Sequence, residues 1–332
     1  MRRLLLTFLL VAAQCTVAQT LTGPSRSASL SEQQGWLAKN CGPDSSRSMA
    51  ATRECELVAA NVGYLSSLGI GGTRKSATNS VSLLVVAGDG IELTDVAKIL
   101  VEPLGERLNA QVEIQAVETN PEGIRSALRM RDDGTELLLA DLNLEGPLRD
   151  LSNRAGGTEG LLKRFRLAAV VGERPFALVA NSRSRVTRGQ DLQAALSGGE
   201  TLYRVINNDV SAACARAVFK SLFQDDRSAP AELSYVFGRQ AMGVVCTELT
   251  PTSTRSGHAI AISQQSRLPI HSLLPTMKSL GLDTAVFNVI GVFVSASTSD
   301  QDLRRVTDAI FLALREPLVR YRMENELWIN VP

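Results

Sequence analysis

The chain has 332 residues, a formal net charge of +1, 44% hydrophobic residues and 21% charged residues. A near-neutral balance excludes a strong electrostatic pull toward nucleic acid or anionic lipid, and the apolar content excludes a disordered chain. The length suits two lobes of ordinary domain size.

The N-terminus reads as a secretion signal over residues 1–18. Arg2 and Arg3 form a basic region and Leu4 to Ala13 a short apolar one. Thr16 and Ala18 are small residues placed for cleavage before Gln19. The apolar run is too short for a permanent membrane span. Cleavage would remove Cys15 and leave Cys41, Cys55, Cys214 and Cys246. An even number in an exported chain favours disulfides. Of the possible pairings, Cys41–Cys55 with Cys214–Cys246 is the simplest. No CxxC spacing appears and the chain has two histidines, so no metal site is expected.

Residues 19–80 read as a tail, a helical hairpin and a linker. Ser29 and Glu32 have capping-box spacing ahead of a helix over Leu30–Asn40. A second helix is expected from about Ser48 to Leu68, before Gly69. From Val81 the pattern becomes strand alternating with helix. Strands are expected at Val81–Ala87, Val112–Val117, Glu136–Asp141, Leu167–Gly172, Phe176–Asn181, Thr201–Asn207, Glu232–Phe237, Ala259–Ser263 and Val289–Ser295. Helices are expected at Asp95–Leu108, Pro121–Met130, Arg188–Leu196, Ser211–Phe223 and Asp300–Leu314. Such alternation implies βαβ units and mainly parallel sheets.

Ligands of α/β sheets sit beyond the carboxyl ends of strands. Three turns there are candidates. Gly88-Asp89-Gly90 leaves backbone N–H groups uncovered ahead of a helix expected to open near Asp95. That arrangement holds a carboxylate without a charged side chain. Asn208, Asp209 and Ser211 precede the helix that carries Cys214, and they are also ordinary capping residues. Tyr235, Gly238 and Arg239 join an aromatic wall, a permissive glycine and a cation. Catalytic patterns are absent: the chain has no GxSxG elbow, HExxH helix or phosphate loop. His258 and His271 are the only histidine bases available, and Asp132–Asp133 before Gly134 reads as a turn. The chain is therefore not expected to be an enzyme, and nothing calls for a cofactor.

From about Val81 to Pro332 the chain resembles the tripartite tricarboxylate transporter substrate-binding proteins of the Bug or TctC type. Gly88, Gly90, Asp95, Ala97, Lys98, Ile99 and Leu100 follow that family's first glycine loop and helix. Asp133-Gly134-Thr135-Glu136-Leu137-Leu138 matches an inner segment. Arg267, Pro269, Pro275, Thr276, Gly281, Gly291, Phe293 and Thr298 keep the order of its C-terminal third. The resemblance implies a two-lobed, periplasmic-binding-protein-like (Venus flytrap) α/β fold, here with an N-terminal helical hairpin. Lobe 1 would be 81–180 plus 286–332, and lobe 2 would be 181–285. It implies a small organic acid or related metabolite held by Gly88, Asp89, Gly90, Asp95, Asn208, Asp209, Ser211, Tyr235, Gly238 and Arg239. The expected protein is a periplasmic monomer serving membrane transporter subunits. The alternative is a sensory or interaction protein with a changed or lost pocket. This chain departs from the family pattern at Asp89, which interrupts the glycine pair, and in the hairpin before Val81.

Overall fold

The computed structural model describes residues 24, 30–42, 49–68, 79–87, 92–118, 130–131, 133–141, 164–205, 209–224, 231–233, 243–255, 257–263, 266, 268–282 and 287–332. The chain divides into two compact units, Met1–Gly71 and Gly72–Pro332.

The first unit is the expected hairpin. Helices α1 (Leu30–Asn40) and α2 (Met49–Ser67) are joined by the Cys41–Cys55 disulfide, with Cα atoms 5.8 Å apart. Inside it, the Asn61 amide donates to Gln33 Oε1 at 2.9 Å, and both side chains are buried. A buried amide pair needs this mutual satisfaction, and it sets the register of the two helices.

The second unit is built on one sheet, in the order β2-β1-β3-β9-β4-β7-β5-β6, with β8 also on β4. The strands are β1 (Ser80–Ala87), β2 (Gln111–Glu118), β3 (Glu136–Asp141), β4 (Phe165–Asn181), β5 (Thr201–Val205), β6 (Ala231–Leu233), β7 (Gly243–Glu248), β8 (Gly257–Ile262) and β9 (Phe287–Ser295). The helices are α3 (Glu92–Leu108), α4 (Leu192–Ser197), α5 (Asp209–Phe223), α6 (Asp300–Leu314) and α7 (Pro317–Glu326).

Three expectations need correction. The two strands expected at Leu167–Gly172 and Phe176–Asn181 are one strand, β4, because Glu173, Arg174 and Pro175 stay in the β4–β9 ladder. The sheet is mixed rather than mainly parallel. β1–β2, β1–β3, β5–β6 and β5–β7 are parallel, whereas β3–β9, β4–β9, β4–β7 and β4–β8 are antiparallel. Finally, α3 begins at Glu92 rather than Asp95, one turn earlier than the sequence pattern suggests. The helix expected at Pro121–Met130 lies outside the described residues except for Met130.

β4 organises the unit by changing partners. Its first part, Phe165–Pro175, pairs with β9. Its last part, Phe176–Asn181, pairs with β7 and β8. A separate apolar core forms on each side of the change. One contains Leu83, Leu100, Leu137, Val171, Val292 and Ile310, and the other contains Phe176, Leu178, Leu192, Val218, Val244 and Met277. The segment Ser266–Leu282 belongs to the second. Two 3-10 turns, Pro269–His271 and Lys278–Leu280, carry it, and Gly281 ends it in the left-handed conformation at φ 77°. The Met277 amide donates to Ile262 O at 2.7 Å, which adds the segment to the edge of β8.

Candidate functional site

Strand direction defines the site. β3 is antiparallel to β9, and β9 to β4, so β1, β2 and β3 run the same way as β4. β7 is antiparallel to β4, and β5 and β6 are parallel to β7, so these three run the opposite way. The carboxyl ends of both sets therefore converge on Pro175–Phe176. Register fixes their positions. Asp141 lies opposite Ile290, which lies opposite Gly172. On the other side Glu248 lies opposite Phe176, and Arg204 opposite Cys246. The two sets of strand ends are thus about five residues apart along β4, or ~17 Å at the usual rise per residue. Helices α3 and α5 start just after β1 and β5, so their positive ends belong to this same zone.

The expected ligand residues divide as follows. Gly88, Asp89, Gly90, Asn208, Tyr235, Gly238 and Arg239 lie outside the described residues, and of Asp209 only the backbone, opening α5, is described. Asp95 sits in the first part of α3, where its carboxylate accepts from Lys98 at 2.9 Å, one turn on. Ser211 is buried. Its hydroxyl accepts from the Val205 amide at 2.7 Å and donates to the Cys246 carbonyl. It thereby ties the end of β5 and the start of α5 to β7. The Cys214–Cys246 disulfide fastens the same helix to the same strand one turn later.

Sequence reasoning missed the groups at the crossing itself. Glu248 ends β7, and its two carboxylate oxygens accept from Arg174 Nη1 and Asn288 Nδ2, each at 2.8 Å. Arg174 and Asn288 are cross-strand partners in the β4–β9 ladder, and they are 3% and 2% exposed. The available signal was two charged residues and a proline, Glu173, Arg174 and Pro175, inside an otherwise apolar stretch.

Neither histidine is arranged as a catalytic base. His258 Nε2 lies 3.1 Å from the Val186 carbonyl, a contact that requires the proton on that nitrogen. His271 Nδ1 lies 2.8 Å from Ser266 Oγ, but that hydroxyl donates to Asn330 Oδ1 at 3.2 Å. The imidazole therefore donates to the serine, the reverse of what a nucleophile requires. Burial lowers the His271 pKa to about 4 and keeps the ring neutral. Asp133 accepts from the backbone and hydroxyl of Thr135, which holds its carboxyl below the usual range in the expected turn before Gly134. Among the described residues no group of three or more His, Cys, Asp or Glu side chains is placed to hold a metal ion.

No protein-family model and no curated protein sequence matches the chain. Solved structures do. MatC (Rpa3494) from Rhodopseudomonas palustris, determined with bound malate, superposes with a TM-score of 0.61 at 18% identity, covering 77% of this chain and 90% of that one. The periplasmic binding protein BugD gives 0.59 at 18% identity, with 75% and 88% covered. A TctC solute-binding protein from Polaromonas gives 0.54 at 14% identity, with 78% and 91% covered. The chain has the Bug/TctC fold. The Bug/TctC likeness extends over three quarters of the residues at an identity that specifies backbone arrangement and leaves side chains free to differ.

Proposed function

We propose that the chain is an exported solute-binding protein that captures a small carboxylated metabolite between two lobes and delivers it to a tripartite tricarboxylate-type transporter. One observation carries this reading: the carboxyl ends of β1–β3 and of β5–β7 converge on the Pro175–Phe176 crossing. In α/β sheets that is where ligands bind, and two opposed sets of ends form the two walls of a clamp. The Bug/TctC fold supports the same assignment. The lobes follow the expected division, 81–180 plus 286–332 and 181–285, with the boundary moved to the change of partners at Pro175–Phe176 inside β4. The ligand residues assigned here are Gly88, Asp89 and Gly90 of the first turn, Asn208 and Asp209 of the second, and Tyr235, Gly238 and Arg239 of the third, as the family resemblance implies. Asp95 and Ser211 act from behind, as the Lys98 pairing and the Val205 and Cys246 bonds indicate. Two features support a periplasmic location: the signal-like N-terminus and the setting of BugD. The solved structures it resembles are solute-binding proteins, which supports a binding role over an enzymatic one.

A ligand that binds only the folded state raises its stability, by about 2.7 kcal/mol at a hundredfold excess over Kd. Malate, other short dicarboxylates and amino acids, added singly to the purified protein, should include at least one that raises its melting temperature by several degrees. A flat response across the panel removes the transport reading. It would leave the second reading, an interaction protein that docks through its hairpin. That reading is favoured by the independent compactness and disulfide of residues up to Gly71. Deleting residues 25–72 separates the two: a solute-binding protein keeps its ligand, and an interaction protein loses its partner.

A further inference from the structure

We propose that Glu248 sets the resting angle between the two halves of the sheet unit by clamping Arg174 and Asn288 across the hinge. The inference rests on the two-lobe reading above. Arg174 and Asn288 belong to the half built on β9, because they pair with each other in the β4–β9 ladder. Glu248 ends β7 and lies opposite Phe176, the first β4 residue of the other half. Its carboxylate grips both with separate oxygens at 2.8 Å.

Backbone bonds concentrate at the same point. The Leu249 amide donates to Pro175 O at 2.9 Å, and the Ser263 amide to Phe176 O at 2.7 Å. Ser263 Oγ accepts from the Phe176 amide at 3.0 Å. These bonds act on the β4 backbone next to the pivot, where rotation displaces atoms least. The Glu248 clamp instead reaches side chains on two first-half strands, so a change of angle strains its two arms unequally. Charge-assisted hydrogen bonds are short and directional, and a buried charge separated from its partner is strongly disfavoured. Angles that break the clamp are therefore thinly populated. Its position at the carboxyl end of β7 puts this control at the floor of the zone between the opposed strand ends.

The test needs no ligand. Spin labels are placed at Ala194→Cys on α4 and Gln301→Cys on α6, both exposed, in the full chain with its two disulfides intact. Double electron–electron resonance then reads the distance between the halves. The native sequence should give one narrow distribution. Glu248→Gln, which keeps size but removes the charge, should broaden the distribution or displace its mean while leaving the circular dichroism spectrum unchanged. An unchanged distribution in Glu248→Gln overturns the proposal. If that variant does not fold, Asn288→Ala is read in the same way: it removes one arm and keeps the ion pair, and an unchanged distribution again rejects the clamp. The ligand panel addresses the transport reading separately, so the two ideas fail by different measurements.

Discussion

Burial holds the His271 imidazole neutral, with its pKa lowered to about 4, and pushes the Glu316 carboxyl up to about 7 even though Arg107 lies 2.5 Å away. Desolvation is the largest cause for Glu316, and the neighbouring Glu106 and Glu102 add to it. The two groups give pH dependences of opposite sign. Between pH 4 and 6.5 the unfolded chain binds a proton at His271 that the folded chain does not, so stability rises with pH. Between pH 4.5 and 7 the folded chain keeps a proton at Glu316 that the unfolded chain has lost, so stability falls with pH. Each contribution is on the order of 3 kcal/mol over its window, and in the native protein they largely cancel. In urea unfolding, Glu316→Gln should gain stability from pH 4.5 to 6.5, and His271→Asn should lose it. Parallel pH profiles for the two variants would show that burial does not control these groups. Ser211→Ala makes a simpler case. It strips the Val205 amide and the Cys246 carbonyl of a buried partner, which should cost about 1–3 kcal/mol.

At the scale of elements, each disulfide joins local segments but sits in different surroundings. Cys214 and Cys246 are fully buried between α5 and β7, whereas Cys41 is partly exposed at the end of α1. Thiolate attack needs access to sulfur. Under mild dithiothreitol, alkylation and mass spectrometry should therefore find Cys41 and Cys55 labelled well before Cys214 and Cys246. Labelling in the reverse order would contradict the packing. Loss of the inner bridge should cost roughly 3–4 kcal/mol for its loop length.

The same elements show what sequence could reveal. α1 and α6 were legible to the residue, since each carries a capping pattern and a clear stop. In α6, Ser299 caps the helix by accepting from the Asp302 amide at 3.1 Å. Along α6, Phe311 is 45% exposed, while Ala309 and Ala313 face the core. β7 was missed because it is buried on both faces, so it lacks the alternation that marks a half-exposed strand. α7 was missed although Glu316-Pro317 is an ordinary helix start, with proline at its first position. β4 was divided in two because charge and proline at residues 173–175 resemble a turn. They look polar in sequence only because their partners, Glu248 and Asn330, lie far along the chain. The turns proposed for the candidate site lie outside the described residues. The cluster at the β4 crossing was not legible, since Arg174, Glu248 and Asn288 share no local pattern.

At the scale of the molecule, the C-terminal tail ties the two halves of the sheet unit together. Ile329 and Val331 are buried in the core that contains β1, β3 and β9, while Trp328 packs on the cluster of Ala177, Val179, Val245 and Ile262 beyond the crossing. Asn330 exchanges both backbone bonds with Glu173 at 2.9 Å, and its side chain accepts from Ser266. Gly172 permits this close approach, because a Cβ there would run into the Ile329 side chain. Trp328 also meets the edge of His271, with ring centroids 5.7 Å apart. The tail is therefore an additional link beside β4 and the return into β9, and it makes unfolding of one half costly to the other. Trp328→Ala removes the second-half anchor and leaves Ile329 and Val331 in place. By the usual cost of truncating a large apolar side chain, about 3–5 kcal/mol when fully buried and less for this partly exposed one, the variant should still fold. Calorimetry should show one transition for the native sheet unit and two for Trp328→Ala, the half containing β5–β8 melting first. The Ile329→Ala variant should reverse that order, because it weakens the other core. A single transition in both variants, shifted only in temperature, would mean that β4 and the Glu248 clamp couple the halves without help from the tail.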